Sequence, residues 1–415
     1  MSAAPAQPRP NLVRHANFRR FWLGDTVSSF GSAVTVLALP LVAIETLDAS
    51  PFEVGLLTMS QYLAFLVLGL PAGAWVDRMN RRLVLIGGDV GRAVLLATVP
   101  LATTVHALTM GHLFAVALLA GVLRVFFVIA YQTYLPEVVD APDLVQANAR
   151  LTASRGVAEV GGPGLAGYLV SWLTAPLAIA ADSVSFLVSA LFVARIRTGE
   201  TAARRPRRPL IAEVGEGARF VLGHPLLRAM VTRSALFNLS NTVLATMFVV
   251  LLADELNLPA STIGLVFTVA GGGAVAGALI VERVAAAVGG GRAIVCAAFV
   301  VGLSAVPMPF TQHGWPLWLA AAGEAVGSAA VVVSNVTQIS YRQRVCPKEL
   351  LGRVNATTRF VVWGAVPLGA LLGGVLGQGV GIRPALWIGV VGELLAILPL
   401  VCSPLWRLRR LDDVA

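Results

Sequence analysis

The sequence predicts an all-α membrane protein in which twelve transmembrane helices form two pseudo-symmetric bundles of six. Three observations support this fold class: long apolar stretches, a one-sided distribution of positive charge, and a repeat at half the chain length. A bilayer core of about 30 Å needs about 20 helical residues to cross it. Twelve stretches have this length and apolar character, at residues 19–44, 52–75, 83–105, 112–134, 151–173, 176–196, 229–252, 261–281, 293–311, 315–339, 358–378 and 384–405.

The composition favours a membrane protein over a water-soluble one. Of the 415 residues, 57% are hydrophobic and 13% are charged, against roughly 25% charged in an average soluble domain. A soluble fold could not cover so much apolar surface. The predicted parts are an N-terminal tail, a six-helix bundle, a linker containing an amphipathic helix, a second six-helix bundle and a C-terminal tail, at residues 1–18, 19–196, 197–228, 229–405 and 406–415.

Positive charge lies almost entirely on one side of the predicted helices. If the N-terminus is cytoplasmic, 28 of the 31 Lys and Arg residues fall in the cytoplasmic tails, loops and linker. The exceptions are Arg383 on the other side, and Arg92 and Arg124 inside spans. Because short loops rich in Lys and Arg stay in the cytoplasm, both termini are predicted to be cytoplasmic. The net charge of +9 then reflects topology, and no nucleic-acid partner is expected.

The second half of the chain repeats features of the first at an offset of 207 to 209 residues. An offset so close to half the chain length indicates a parallel repeat of two six-helix halves, which is an architecture of membrane transporters. The matched pairs include Tyr134 and Tyr341, Gly167 and Gly374, and Gly55 and Gly264.

The linker between the halves opens with a polar, basic run and then becomes amphipathic. This pattern predicts a short helix that lies in the cytoplasmic interface of the membrane. Its predicted apolar face consists of Leu210, Ile211, Val214, Val221 and Leu222.

The most specific local pattern lies between spans two and three and consists of Gly73, Asp77, Arg78, Arg81 and Arg82. A glycine at the first position allows two helices to approach closely. The acid at the end of span two can pair with a neighbouring arginine or a helix N-terminus, and so hold the cytoplasmic side closed. The alternative is that the arginines only anchor the topology.

This run resembles the signature loop of the major facilitator superfamily, with Asn80 at a position where glycine is usual. Asparagine tolerates a left-handed turn better than most residues, so the departure is mild. Gly162, Pro163 and Gly167 in span five resemble the antiporter motif of the same superfamily, with Ala166 in place of a glycine. We expect this second motif to pack helices closely.

Three further stretches are similar to the drug and siderophore exporter branch, which includes macrolide-efflux and enterobactin-exporter proteins. They are residues 18–24, 181–186 and 216–228. The resemblance covers residues 11–410. It implies twelve helices, a multi-pass protein of the cell inner (plasma) membrane, and export of small molecules.

Ionisable residues inside a bilayer are costly, so each needs a partner, water or a function. Asp89 and Arg92 are three residues apart and can share one helix face, which favours a structural pair. With neighbouring charges they form a predicted intramembrane network of Asp25, Asp89, Arg92, Arg155 and Glu159.

Four other charged residues are candidates for coupling transport to protons or substrate: Arg124, Asp182, Glu324 and Glu393. In the superfamily that this chain resembles, an arginine in span four is often tied to proton coupling. A carboxyl group in an apolar cavity can bind and release a proton near neutral pH. The alternatives are a buried structural pair for Arg124, a packing role for Asp182, and capped or hydrated acids at the two glutamates.

Together these patterns predict a secondary active transporter and not an enzyme. The expected activity is proton-driven export of amphiphilic small molecules (drugs, macrolides or siderophore-like metabolites) by alternating access, with the proton gradient as energy source and no cofactor or metal. Substrate, protons and the lipid bilayer are the expected partners of a monomer. Two alternatives stay open: a lipid or lysolipid translocator on the same fold, and a membrane sensor or scaffold that transports nothing.

Overall fold

The computed structural model describes residues 12, 15–69, 71–76, 78–197 and 210–407. All regular secondary structure within these ranges is helical. The helices are α1 (Ala16–Leu47), α2 (Pro51–Leu68), α3 (Pro71–Val76), α4 (Arg81–Thr104), α5 (Met110–Val138), α6 (Leu144–Leu173), α7 (Ala175–Ala194), α8 (Leu210–Gly223), α9 (Pro225–Val250), α10 (Ala260–Val288), α11 (Gly290–Ser304), α12 (Trp315–Val345), α13 (Lys348–Val380), α14 (Ile382–Leu395) and α15 (Leu398–Val401).

Eleven helical segments of the described ranges are long and apolar enough to cross a membrane. The remaining predicted span, span five at residues 151–173, corresponds to α6, which has 30 residues and packs against α1 and α10. Its glycines, Pro163 and Glu159 lower its hydropathy, so length and packing identify it better than composition does. The predicted fold class is therefore confirmed.

Span two was predicted as one helix over residues 52–75, and this prediction is wrong. Helix α2 ends at Leu68, and α3 begins at Pro71. Proline has no backbone N–H to donate and disfavours helical backbone in the residue before it, so it starts a helix more readily than it continues one.

Several helices extend beyond the predicted spans. Helix α12 continues to Val345 and α13 begins at Lys348, whereas the predicted spans end at 339 and begin at 358. Hydropathy shows where an apolar stretch ends, but backbone hydrogen bonding continues into the polar residues that follow. Arginines that the sequence assigns to a loop, such as Arg342, therefore lie on helices.

The helices pack as two halves. In the first half α1 packs against α6 and α7, and α4 packs against α5 and α7. In the second half α10 and α11 pack against α12, and α9 packs against α13 and α14. The matched residues Tyr134 and Tyr341 are both fully buried, one in each half. We refer to the end of the molecule where α1 begins as the terminal end, and to the end where α1 meets α2 as the opposite end.

The halves touch through two pairs of matched glycines near the opposite end. A Cβ on Gly55 of α2 would lie 2.6 Å from the Cα of Gly374 in α13. A Cβ on Gly264 of α10 would lie 2.9 Å from the Cα of Gly167 in α6. Backbones can approach this closely only where side chains are absent. The sequence repeat thus corresponds to two equivalent contacts between the halves.

Helix α8 lies within the linker and packs on α13. Glu216 of α8 forms an ion pair with Arg353 of α13. Val221 is 4% exposed, whereas Leu222 is 60% exposed. Because adjacent helical residues point about 100° apart, Val221 packs on the protein and Leu222 does not, and the predicted placement of the apolar face in the membrane interface stays a prediction. The other three residues of that predicted face have side chains outside the described part of the structure.

Candidate functional site

A bidentate ion pair joins α1 and α6 in the first half. Arg155 donates hydrogen bonds from Nη2 to Oδ1 of Asp25 at 2.7 Å and from Nε to Oδ2 at 3.1 Å. The Arg155 guanidinium also lies 4.1 Å from the centroid of the Tyr131 ring. Glu159 is exposed and acts on Arg155 only through longer-range electrostatics. Asp25, 5% exposed, is therefore a fixed part of the helix packing.

A second buried pair lies within α4. The Arg92 Nη2 donates to Oδ1 of Asp89 at 2.5 Å, and Asp89 is fully buried. Phe127 and Phe186 place their ring centroids 4.4 and 4.1 Å from the Arg92 guanidinium. Charge pairing and two aromatic faces together compensate for the loss of water around this cation.

Asp182 links α7 to α1 through hydrogen bonds. Its carboxylate accepts from the hydroxyl of Thr35 and from that of Ser185, the latter at 2.9 Å. Asp182 is 1% exposed. Two hydroxyls, one from α1 and one from α7, therefore hold this carboxylate in place.

The signature loop ties α4 to its neighbours at the terminal end. Arg81 forms an ion pair with Glu137 of α5, and Arg82 donates to the carbonyl oxygens of Val193 and Ala194 at the end of α7. Arg78 is exposed. Glu137 was not predicted from the sequence, because only the fold brings the end of α5 beside the start of α4.

Asp77 lies outside the described residues. The close helix approach predicted at Gly73 is not observed, since no described atom lies within 4 Å of the position that its Cβ would take.

The antiporter-like motif in α6 does pack closely: a Cβ on Gly162 would lie 2.3 Å from the Cβ of Ala33 in α1, and Gly167 contacts α10. Pro163 supplies the carbonyl oxygen that lies 2.5 Å from the Cβ position of Gly264.

Arg124 lies half-way along α5 and is partly buried. Its guanidinium is 6.0 Å from the centroid of the Phe65 ring. Arg124 forms no ion pair with another described residue. The positive charge of Arg124 repels the positive charge of Arg92 within the first half.

The two candidate acids of the second half lie near each other, beside an arginine and an asparagine side chain. Glu393 of α14 is 4% exposed and accepts a hydrogen bond from Nδ2 of Asn241 at 3.2 Å. Glu324 of α12 is close enough to act electrostatically on Glu393, and so is Arg233 of α9. These groups form one cluster of charge within the second half.

The charge count from the sequence treats Arg233 as a cytoplasmic charge between the two halves and not as a cation inside a span, and this is wrong. It lies in the third turn of α9 and is 2% exposed. Its only sequence signal is its position inside predicted span seven, at residues 229–252, where a cation is costly.

Two cavities lie near the terminal end. The first, about 510 Å³, is an open cavity lined by α9, α12 and α13, and we name it the basic chamber. It is lined by Arg233, Arg342 and Arg359 together with the amides of Asn238, Gln338 and Asn355.

The second cavity, about 340 Å³, lies between α2, α5 and α13, and we name it the aromatic cleft. Its walls are mainly apolar and include Phe65, Val125, Ile129, Phe360 and Trp363. The rings of Phe65 and Trp363 face each other across the two halves, with centroids 6.2 Å apart. Trp363 and Arg359 line both cavities, which therefore meet at α13.

Membrane-crossing helices in two packed halves, with a cleft between the halves at one end, define a membrane transporter with the major facilitator fold. Residues 10–415 match the profile of a family described as transmembrane secretion effector. The chain belongs to this family, within the major facilitator superfamily.

Two of the relatives that match the chain over most of its length are efflux proteins by name. The multidrug efflux pump Tap of Mycolicibacterium fortuitum is 27% identical over 409 residues, covering 92% of this chain and 94% of the relative. Macrolide efflux protein A of Streptococcus pyogenes is 21% identical over 398 residues, covering 95% and 97%. The chain is therefore a multi-pass membrane transporter of small molecules and not an enzyme.

Solved structures support the fold. The crystal structure of a bacterial homologue of the iron transporter ferroportin in its inward-facing state gives a TM-score of 0.74 at 18% identity, covering 95% of this chain and 99% of that one. A structure of such a homologue in the outward-facing state gives 0.60 at 16% identity, covering 93% and 98%.

Proposed function

We propose that this protein is a proton-driven exporter of amphiphilic small molecules, working by alternating access in the cell inner (plasma) membrane. The observation that carries the proposal is the asymmetry between the two ends. The halves touch through paired glycines at the opposite end, whereas the aromatic cleft lies between them at the terminal end. Alternating access requires a state closed at one end and open at the other.

With cytoplasmic termini, this arrangement is an inward-facing state. The higher TM-score to the inward-facing ferroportin homologue supports that assignment. The names of the two efflux relatives support export of drugs, macrolides or metabolites of similar character. An apolar cleft that meets a polar chamber suits molecules with both kinds of surface.

For proton coupling, the acid pair of the second half is the best-placed candidate. Glu393 is buried and accepts a hydrogen bond from Asn241, and the charge of Glu324 acts on it. A carboxyl group in an apolar setting beside a second acid favours binding of a proton. Asp182 is already held by two hydroxyl groups. Arg124 would act by repelling or attracting charge near the cleft and not by carrying the proton itself.

The experiment that tests the proposal is accumulation of dyes, macrolides and siderophores in an efflux-deficient bacterial host, with and without a protonophore. Lower accumulation in cells that express the protein, lost when the protonophore is added, is the expected result. An unchanged accumulation of every compound, together with a protein partner bound to residues 197–224, would instead favour the sensor or scaffold.

Replacing Asp77 by Asn is expected to reduce transport roughly tenfold while the amount of protein in the membrane stays the same. The acid of the signature loop would stabilise closure of the cytoplasmic side, and losing about 1.4 kcal/mol from one state changes its population tenfold. Export is measured at matched membrane levels. The control is Asp140→Asn, which removes an exposed acid at the same end. Full transport by the Asp77 variant would contradict the gating role.

A further inference from the structure

We propose that the basic chamber binds the anionic head group of the substrate, so that the transported compounds are amphiphiles carrying a carboxylate or phosphate. This inference rests on the proposed function and narrows its substrate class. The hydrocarbon or aromatic body of the same molecule would occupy the adjoining aromatic cleft.

The first line of evidence is the charge of the chamber. Arg233, Arg342 and Arg359 reach it from three different helices, α9, α12 and α13. None of the described residues that line it is acidic. Guanidinium groups match the geometry of carboxylates and phosphates and can bind them through two hydrogen bonds at once. A chamber with this lining repels cations.

The second line of evidence is the state of Arg233. Its side chain is 2% exposed, and its Nε has no hydrogen-bond partner within the described structure. The Phe237 ring, with its centroid 4.7 Å from the guanidinium, supports one face of the group. A buried donor without a partner costs roughly 1–3 kcal/mol. An anion in the chamber would compensate for part of the charge that this burial leaves on the guanidinium.

One acid acts on Arg233 from outside the chamber. Glu393 lies on α14, is not part of the lining, and accepts a hydrogen bond from Asn241. It offsets part of the charge on Arg233 but leaves Arg342 and Arg359, so the lining keeps a net positive charge. The amides of Asn238, Gln338 and Asn355 add neutral hydrogen-bond donors around the same space.

The third line of evidence is the connection between the two cavities. Arg359 and Trp363, one helical turn apart on α13, line both of them. A molecule whose head reaches Arg359 can therefore place an apolar body against Trp363, Phe360 and Phe65. The geometry selects for one molecule that has both features and not for a free inorganic anion.

Binding to the full-length protein in phosphatidylcholine nanodiscs tests this inference without any proton gradient. The probes are radiolabelled laurate, dodecyl phosphate and dodecyltrimethylammonium, which share a twelve-carbon tail and differ in head group. We expect both anions to bind at least tenfold more tightly than the cation. Equal affinity for the three probes would overturn the inference. A further arm with oleoyl lysophosphatidate separates a lysolipid from a simple carboxylate amphiphile.

Two variants identify the site. Arg233→Gln and Arg359→Gln are each expected to weaken laurate binding roughly tenfold or more, the usual effect of losing a hydrogen bond to a charged group. Arg359 is exposed, so its variant remains informative if Arg233→Gln does not fold. The control is Arg228→Gln, which removes an exposed arginine of α9 outside the lining. Unchanged laurate binding in the Arg359 variant would contradict the inference.

The binding experiment can fail or succeed independently of the export experiment that tests the proposed function. Selective anion binding without energised export would leave the chamber assignment standing and overturn proton-driven export. Energised export of cationic drugs, with no preference for anionic probes, would overturn the chamber assignment and leave export standing.

Discussion

Replacing Gly167 by alanine is expected to abolish most transport without removing the protein from the membrane. The added Cβ would lie 2.3 Å from the carbonyl oxygen of Ala260 and 3.0 Å from the Cα of Gly264. Both are backbone atoms, so α6 and α10 must separate. Overpacking of this kind costs roughly 1–3 kcal/mol, which disfavours the state closed at the opposite end by about 5- to 150-fold.

The measurement combines transport with the separation of α6 and α10. Spin labels at Ser171 and Ser261, which are joined by a hydrogen bond of 2.9 Å across this contact, report that distance. The native Cys296, Cys346 and Cys402 are first replaced by serine, and the resulting protein serves as the reference.

The matched control for this variant is Gly156→Ala in the same helix. No described atom lies within 4 Å of its Cβ position, so the substitution changes helix propensity but not packing. We expect normal transport and an unchanged label distance. If Gly167→Ala behaved in the same way, the paired glycines would not be what closes the opposite end.

Replacing Asp89 by alanine is expected to lower the free energy of unfolding by about 3–5 kcal/mol. It leaves Arg92, 7% exposed and enclosed by two phenylalanine rings, without its carboxylate. Removing one member of a buried ion pair has this effect because the remaining charge stays desolvated. The loss of stability is measured by thermal unfolding of both proteins in the same detergent, with the remaining monodisperse protein as the signal.

Two further variants show whether burial is the cause. Asp89→Leu combined with Arg92→Met removes both charges and is expected to recover most of the lost stability. Glu255→Gln breaks the ion pair to Arg383, whose side chains are 37% and 32% exposed, and should cost at most about 1 kcal/mol. A loss for Asp89→Ala no larger than that for Glu255→Gln would contradict the explanation.

The sequence repeat illustrates what pattern alone can predict. Gly55 and Gly264 match each other in the sequence, as do Gly167 and Gly374. The repeat predicts two equivalent halves, and the structure has two equivalent contacts. It does not predict that each contact joins one glycine of the first pair to one of the second. That cross-pairing depends on how the halves pack, which no local pattern contains.

Charge illustrates the opposite case. Counting Arg233, Arg342 and Arg359 among the cytoplasmic charges leads to a consistent topology, and all three lie toward the terminal end. The count cannot distinguish an arginine in a loop from one whose helix carries it into a cavity. Only the packing of α9, α12 and α13 side by side brings the three arginines to one cavity.

The sequence by itself determined the class of this protein. Four features can be read from local sequence or composition: the apolar stretches, the side on which the cations lie, the repeat and the signature loop. They indicate the class because the lipid bilayer constrains every membrane-crossing segment in the same way. Tertiary structure alone decided which charges are paired, which glycines of the two halves meet, and that three arginines from distant segments line one cavity. Those features depend on distances between helices far apart in the chain, and such distances arise only when the helices pack.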